Sequence, residues 1–257
     1  MGDAFFVPDG DRFVPTELAR GPWSADAAHA GPPAALLGRA VERLEPEMVV
    51  SRFVLEILRP IPLRPLRVTA RVARPGKRVQ LAEAVLGDGD REVARASAWR
   101  ILPRETLDDE VNLEGPGLPA PDECPQVQGF PVPWRPNYFD AMEWRHADGT
   151  WSEPGPSAVW MRMRVSLLPE EPVSPLARVL AAADSANGIS WELDFGRFLF
   201  VNLDLSVHLA RMPEGEWVCL DATSRLGRSG IGFSQSRLSD ERGRIGVGAQ
   251  SLLVSRA

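Results

Sequence analysis

The chain has 257 residues, 44% hydrophobic and 25% charged, enough to bury one large core or two smaller ones. Its formal net charge of −6 argues against a general nucleic-acid binder, because phosphate binding needs a concentrated positive field. No apolar run reaches the length of a membrane helix, about 20 residues, and Met1-Gly2-Asp3-Ala4 lacks the positive region of a signal peptide; a soluble, cytoplasmic protein is expected. Cys124 and Cys219 stand apart, with no CxxC and no His at metal-ligand spacing, which disfavours a disulfide scaffold or a zinc site.

Pro32-Pro33 suits a first helical turn, and Leu37, Val41 and Leu44 recur at helical spacing, so a helix is predicted over 33–44. From 49 to 102 the pattern turns β-rich, with predicted strands at 49–58, 67–74, 78–86 and 93–102. Pro60-Ile61-Pro62, Pro75-Gly76 and Gly87-Asp88-Gly89 supply the turns between them. The stretch 103–156 is rich in Pro, Gly and acids and reads as a crossing, with 138–145 and 158–167 as strands opening a second half. Ser174-Pro175 gives an N-cap and N1 proline for a helix over 175–187 that Asn187-Gly188 ends. Strands then follow at 199–211, 217–224, 231–238 and 245–255.

These two series are one pattern told twice at an offset of about 150 residues. Leu55-Glu56-Ile57 falls on Leu203-Asp204-Leu205, Gly76 on Gly227, Asp88 on Asp240 and Val93 on Ile245. The expected fold class is α+β, with two tandem helix-plus-antiparallel-sheet subdomains forming an internal pseudo-dimer. Its divisions are 1–105, a linker at 106–136, and 137–257. Only the second half carries polar residues where the first has small ones: Ala98 falls on Gln250.

Leu176, Leu180 and Asp184 lie four apart, so the carboxylate shares the apolar side of its helix, where burial would suit it to hold or activate a water. Asp184 bonding only local backbone, or facing water, is the alternative. Along 199–211, odd positions are apolar while Asn202, Asp204, Ser206 and His208 share the other face, which suits solvent. Asp204 and His208 are separated by about 13 Å along a strand and form no direct dyad. Gly246, Gly248 and Gln250 share a face, so the amide sits beside two positions without side chains; this is either a ligand clearing or tight packing. His29 precedes the first helix, where the Gly31 N–H is placed to face an anion or oxyanion, or His29 is simply a capping residue. Arg74, Lys77 and Arg78, with Arg225 and Arg228 at the matching place, read as solvated turn charges before phosphate contacts. Gly232-Phe233-Ser234-Gln235-Ser236 fails the nucleophile-elbow pattern, and no phosphate loop is present.

Together these segments resemble the double-hotdog acyl-CoA thioesterases, related to bacterial thioesterase II and to actinobacterial thioesterase-like proteins. The resemblance spans nearly the whole chain. It is carried by Gly21-Pro22-Trp23, His29-Ala30-Gly31-Pro32-Pro33-Ala34-Ala35-Leu36-Leu37, Leu58-Arg59-Pro60-Ile61-Pro62, Ala183-Asp184-Ser185-Ala186-Asn187-Gly188, Asn202-Leu203-Asp204-Leu205, Gly215-Glu216-Trp217 and the run from Asp240 to Gln250. It implies hydrolysis of a fatty acyl-CoA by water, with no metal or cofactor beyond the CoA of the substrate. Thioesterase II holds that water with an Asp on the second helix, a Ser or Thr on the next strand and a Gln on the last strand. Asp184 and Gln250 match the first and third; Asn202 departs from the second, offering an amide and no hydroxyl. From the reading of the residues themselves, His29, Gly31, Gly246 and Gly248 are the candidate substrate or oxyanion contacts. Expected partners are acyl-CoA and a second copy joined through the sheets. A non-catalytic acyl-CoA binder, a hotdog hydratase or dehydratase and a purely structural protein are the rivals. The hydratase is disfavoured because no His follows Asp184 in its helix.

Overall fold

The computed structural model describes residues 3–105, 117–128, 130 and 132–256. Of the expected linker, 106–116, 129 and 131 lie outside the described residues. The chain opens with β1 (Phe6–Asp9) and β2 (Arg12–Pro15), followed by α1 (Gly31–Glu42), β3 (Val49–Ile57), β4 (Leu66–Arg74), β5 (Val79–Asp88) and β6 (Arg91–Ile101). Next come β7 (Gln126–Val127), α2 (Tyr138–Ala141), β8 (Met142–Asp148) and β9 (Ser157–Met163). The final series is α3 (Pro175–Ala183), α4 (Ala186–Ile189), β10 (Phe198–Asn202), β11 (Asp204–Leu209), β12 (Val218–Leu226), β13 (Ile231–Asp240) and β14 (Gly243–Arg256). Among the described residues, no helix is long and apolar enough to cross a membrane.

The strands form a single antiparallel sheet in the order β1-β2-β4-β5-β6-β3-β11-β14-β13-β12-β9-β8-β7, with β10 also paired to β14. Strands β3 and β11 are the seam between the two tellings, with Leu55 opposite Leu205. Both central helices are wrapped by the sheet. Residues 31–38 of α1 are buried throughout, the signature of a core helix with no solvent face. A Cβ on Gly31 would lie 2.3 Å from the Ala181 carbonyl, and one on Gly38 would lie 2.5 Å from Leu180 Cδ1. Glycine at these two positions is what lets α1 and α3 touch.

The strand expected over 158–167 ends at Met163, and β7 lies inside the expected linker and pairs with β8; three further departures bear on the site. Residues 138–141 form a helical turn rather than strand, because Asn137 Oδ1 accepts from the N–H groups of Phe139 and Asp140 while Asp140 Oδ2 accepts from Asn137 N–H. That capping box starts a helix, and strand begins only at Met142. The helix predicted to run to Asn187 ends at Ala183 and restarts at Ala186, so Asn187 lies within a turn of helix and does not stop one. The strand predicted over 199–211 breaks at Leu203. Asn202 pairs with Leu252 but Ser206 with Ala249, so four steps along one strand match three along the other.

Candidate active site

Asp184 caps the C-terminal end of α3, one turn beyond the buried Leu180, and is itself only 3% exposed. Three side chains converge on its carboxylate. Asn202 Nδ2 donates to Oδ1 at 2.7 Å, Gln250 Nε2 reaches the same oxygen at 3.4 Å, and His29 Nδ1 lies 3.1 Å from Oδ2. Gln250 Nε2 also donates to the Asp184 backbone carbonyl at 3.0 Å, and its Oε1 accepts the Asn187 N–H at 3.1 Å. These opposite demands fix which end of the Gln250 amide points where.

Two irregularities in strand register deliver these side chains. The extra residue at the β10–β11 break reverses the alternation, so Phe200 faces inward before it and Leu205 and Val207 after it. Asn202, on the same side as Phe200, is therefore turned toward Asp184 and not, as alternation alone predicts, toward the face of Ser206 and His208. On β14, Leu238 pairs with Gly246 but Ser239 with Arg244, which leaves Ile245 as an extra residue. Both Ile245 and Gln250 are thereby buried.

Gly246 and Gly248 do not open a ligand space. A Cβ on Gly246 would lie 2.0 Å from the His208 carbonyl, and one on Gly248 would lie 2.7 Å from Ser236 Oγ. Neighbouring strands fill the supposed clearing. Gly31 is committed as well: its N–H donates to His29 Nδ1 at 3.1 Å. Pro32 and Pro33 have no N–H, so the helix start keeps one backbone donor, Ala30, without a partner among the described residues.

Tyr138, the only tyrosine of the chain, was not singled out by sequence. Its ring stacks on the His29 imidazole at 3.8 Å with 5° between planes, and its hydroxyl donates to the Ala181 carbonyl at 2.7 Å beside Ser185 Oγ at 3.0 Å. One residue thus braces both the imidazole and the end of α3. The available signal was Asn137 three residues before Asp140, the capping box that makes the turn. Burial lowers the His29 pKa below the usual histidine value, against the opposing pull of the Asp184 charge. Burial raises the Tyr138 pKa, which keeps it a neutral donor.

Asp184, Asn202, His29 and Ala30 border a cavity of about 500 Å³ whose other walls include Trp23, Ile61, Phe139, Trp151, Phe195 and Val201. Trp23, Leu58 and Leu203, each at least 40% exposed, mark its mouth. A family model for the acyl-CoA thioesterase N-terminal domain matches residues 19–101, and one for the acyl-CoA thioesterase C-terminal domain matches residues 121–254. The chain belongs to the acyl-CoA thioesterase family.

Solved structures agree on the fold of this chain. A putative thioesterase from Novosphingobium aromaticivorans is 24% identical, covering 97% of this chain and 98% of its own, with a TM-score of 0.74. A putative thioesterase II from Thermobifida fusca is 16% identical, with 98% and 95% covered and a TM-score of 0.76. A protein with hot dog fold from Alicyclobacillus acidocaldarius is 16% identical, with 97% and 95% covered and a TM-score of 0.75. Among curated proteins none matches the chain. The chain is thus a double hotdog of class α+β. Its candidate site joins the start of the first central helix to the end of the second.

Proposed function

We propose that this protein hydrolyses a fatty acyl-CoA by direct attack of water held on Asp184. The reaction uses no resident cofactor, and CoA enters as part of the substrate. The observation that carries this is a buried carboxylate, fixed by Asn202 and Gln250, at the wall of an apolar cavity. An ionised carboxylate offers about four acceptor sites. Asn202 and Gln250 use Oδ1 and His29 lies against Oδ2, which leaves room on Oδ2 for one water. Asp184 takes the water's proton as oxygen attacks the thioester carbon, and the Ala30 N–H donates to the oxyanion. The acyl chain lies among Trp23, Phe139, Trp151 and Phe195, in a space of the size usual for small-molecule sites. Association of two copies through the sheets belongs to the same proposal, supported by the apolar outer face of Ile231, Phe233, Val247 and Leu253.

Asp184→Ala is expected to lower thiol release from an acyl-CoA panel by about 100-fold or more while leaving the melting temperature near wild type. Retention of most activity would refute the role of Asp184. Binding without turnover by the wild-type chain would make it an acyl-CoA binder. The pairing of His29 with Asp184 supports one second reading, hydration of an enoyl thioester, because the His absent from the second helix is supplied across the seam. Loss of enoyl absorbance without thiol release would favour it.

A further inference from the structure

His29 Nδ1 has two polar neighbours, the Gly31 N–H and Asp184 Oδ2, each at 3.1 Å. A backbone N–H only donates, so the contact with Gly31 makes Nδ1 an acceptor and puts the imidazole proton on Nε2. A charged His29–Asp184 ion pair would require the same nitrogen to donate, and the lowered His29 pKa opposes that charge. Two acceptors, Nδ1 and Oδ2, therefore converge on one gap. Nδ1 has a single lone pair, so it takes a proton only by giving up the Gly31 N–H, while Asn202 and Gln250 hold the carboxylate throughout.

We propose that His29 and Asp184 act as one proton seat, in which the proton released by the attacking water is held between Oδ2 and Nδ1 until the thiolate departs. The proposal rests on thioester hydrolysis being the reaction. In the first step the water oxygen bonds to the thioester carbon and gives one proton to Oδ2, and Nδ1 releases the Gly31 N–H to share it. In the second the C–S bond breaks, its electron pair stays on sulfur, and the seat returns the proton to that sulfur. The products are the free acid and the CoA thiol. Among the described residues, the titratable groups facing the imidazole are Asp184 from the end of α3 and Tyr138 from α2, and Tyr138 acts as a positioning residue through its ring stack.

The test is the pH profile of kcat for acyl-CoA hydrolysis in His29→Phe, which keeps an aromatic ring against Tyr138 and removes the nitrogen acceptor. Activity needs an empty seat, and two acceptors hold a proton more tightly than one. The variant should lose about 10-fold or more in kcat with little change in KM, and its acid limb should move to lower pH. If Nδ1 instead donates to Asp184, the limb moves to higher pH, which overturns the proposal, as does an unchanged kcat and profile. Should His29→Phe fail to fold by its melting curve, His29→Leu decides, because it offers neither donor nor acceptor: the limb moves to lower pH under the proposal and to higher pH if His29 is only a donor. A wild-type chain inert towards every acyl-CoA would instead end the hydrolysis reading and this proposal with it. A normal wild type with an unaltered His29→Phe would end this proposal alone.

Discussion

Asn202 carries an amide where the resemblance to thioesterase II leads one to expect a hydroxyl, yet its nitrogen lies 2.7 Å from Asp184 Oδ1. A hydroxyl donates and accepts in turn, whereas an amide N–H only donates, so Asn202 presents Asp184 with a permanent partner. A hydrogen bond to a charged group contributes about 1.5–3 kcal/mol. Asn202→Ala is accordingly expected to lower kcat about 10- to 100-fold with little change in KM. Steady-state kinetics across an acyl-CoA panel check this; a rise in KM at constant kcat would mean that the amide binds substrate and does not hold the carboxylate.

The helix pair α1 and α3 sets the spacing on which the site depends. Gly31 meets the Ala181 carbonyl and also donates to His29, so one position without a side chain serves both packing and the site. Gly31→Ala is expected to cost about 1–3 kcal/mol, read as a lower denaturant midpoint, because Ala181 backbone has to move. Activity should fall with it, since Asp184 lies less than one turn further along. The helix starts and most strand runs were legible because prolines, turn dipeptides and β-branched runs act locally. The direction of Asn202 was not legible, because one extra residue near Leu203 reverses which face follows, and a bulge leaves little trace in apolar alternation. The contact of His29 with Asp184 was hidden for a different reason. It joins segments far apart in sequence, and only the close approach of α1 to α3 brings them together.

The two halves are tied along more than one line. Strands β3 and β11 pair at the seam, the central helices touch at glycines, and Phe5 and Phe6 donate backbone hydrogen bonds to the Ser166 and Leu167 carbonyls of the second half. The asymmetry visible in the sequence has a structural counterpart. Ala98 is fully buried, paired with Phe53 and Ala82, whereas Gln250, its counterpart in the repeat, bonds to Asp184 and Asn187. The proposed chemistry therefore needs both halves: the first gives His29 and Ala30, the second Asp184, Asn202 and Gln250. The most direct measurement is a crystal structure of the wild-type chain with a non-hydrolysable acyl-CoA. The acyl chain is expected in the aromatic cavity, the carbonyl oxygen on the Ala30 N–H, and a water between Asp184 Oδ2 and the carbonyl carbon. An analogue bound with its carbonyl away from Asp184 would contradict the proposed chemistry.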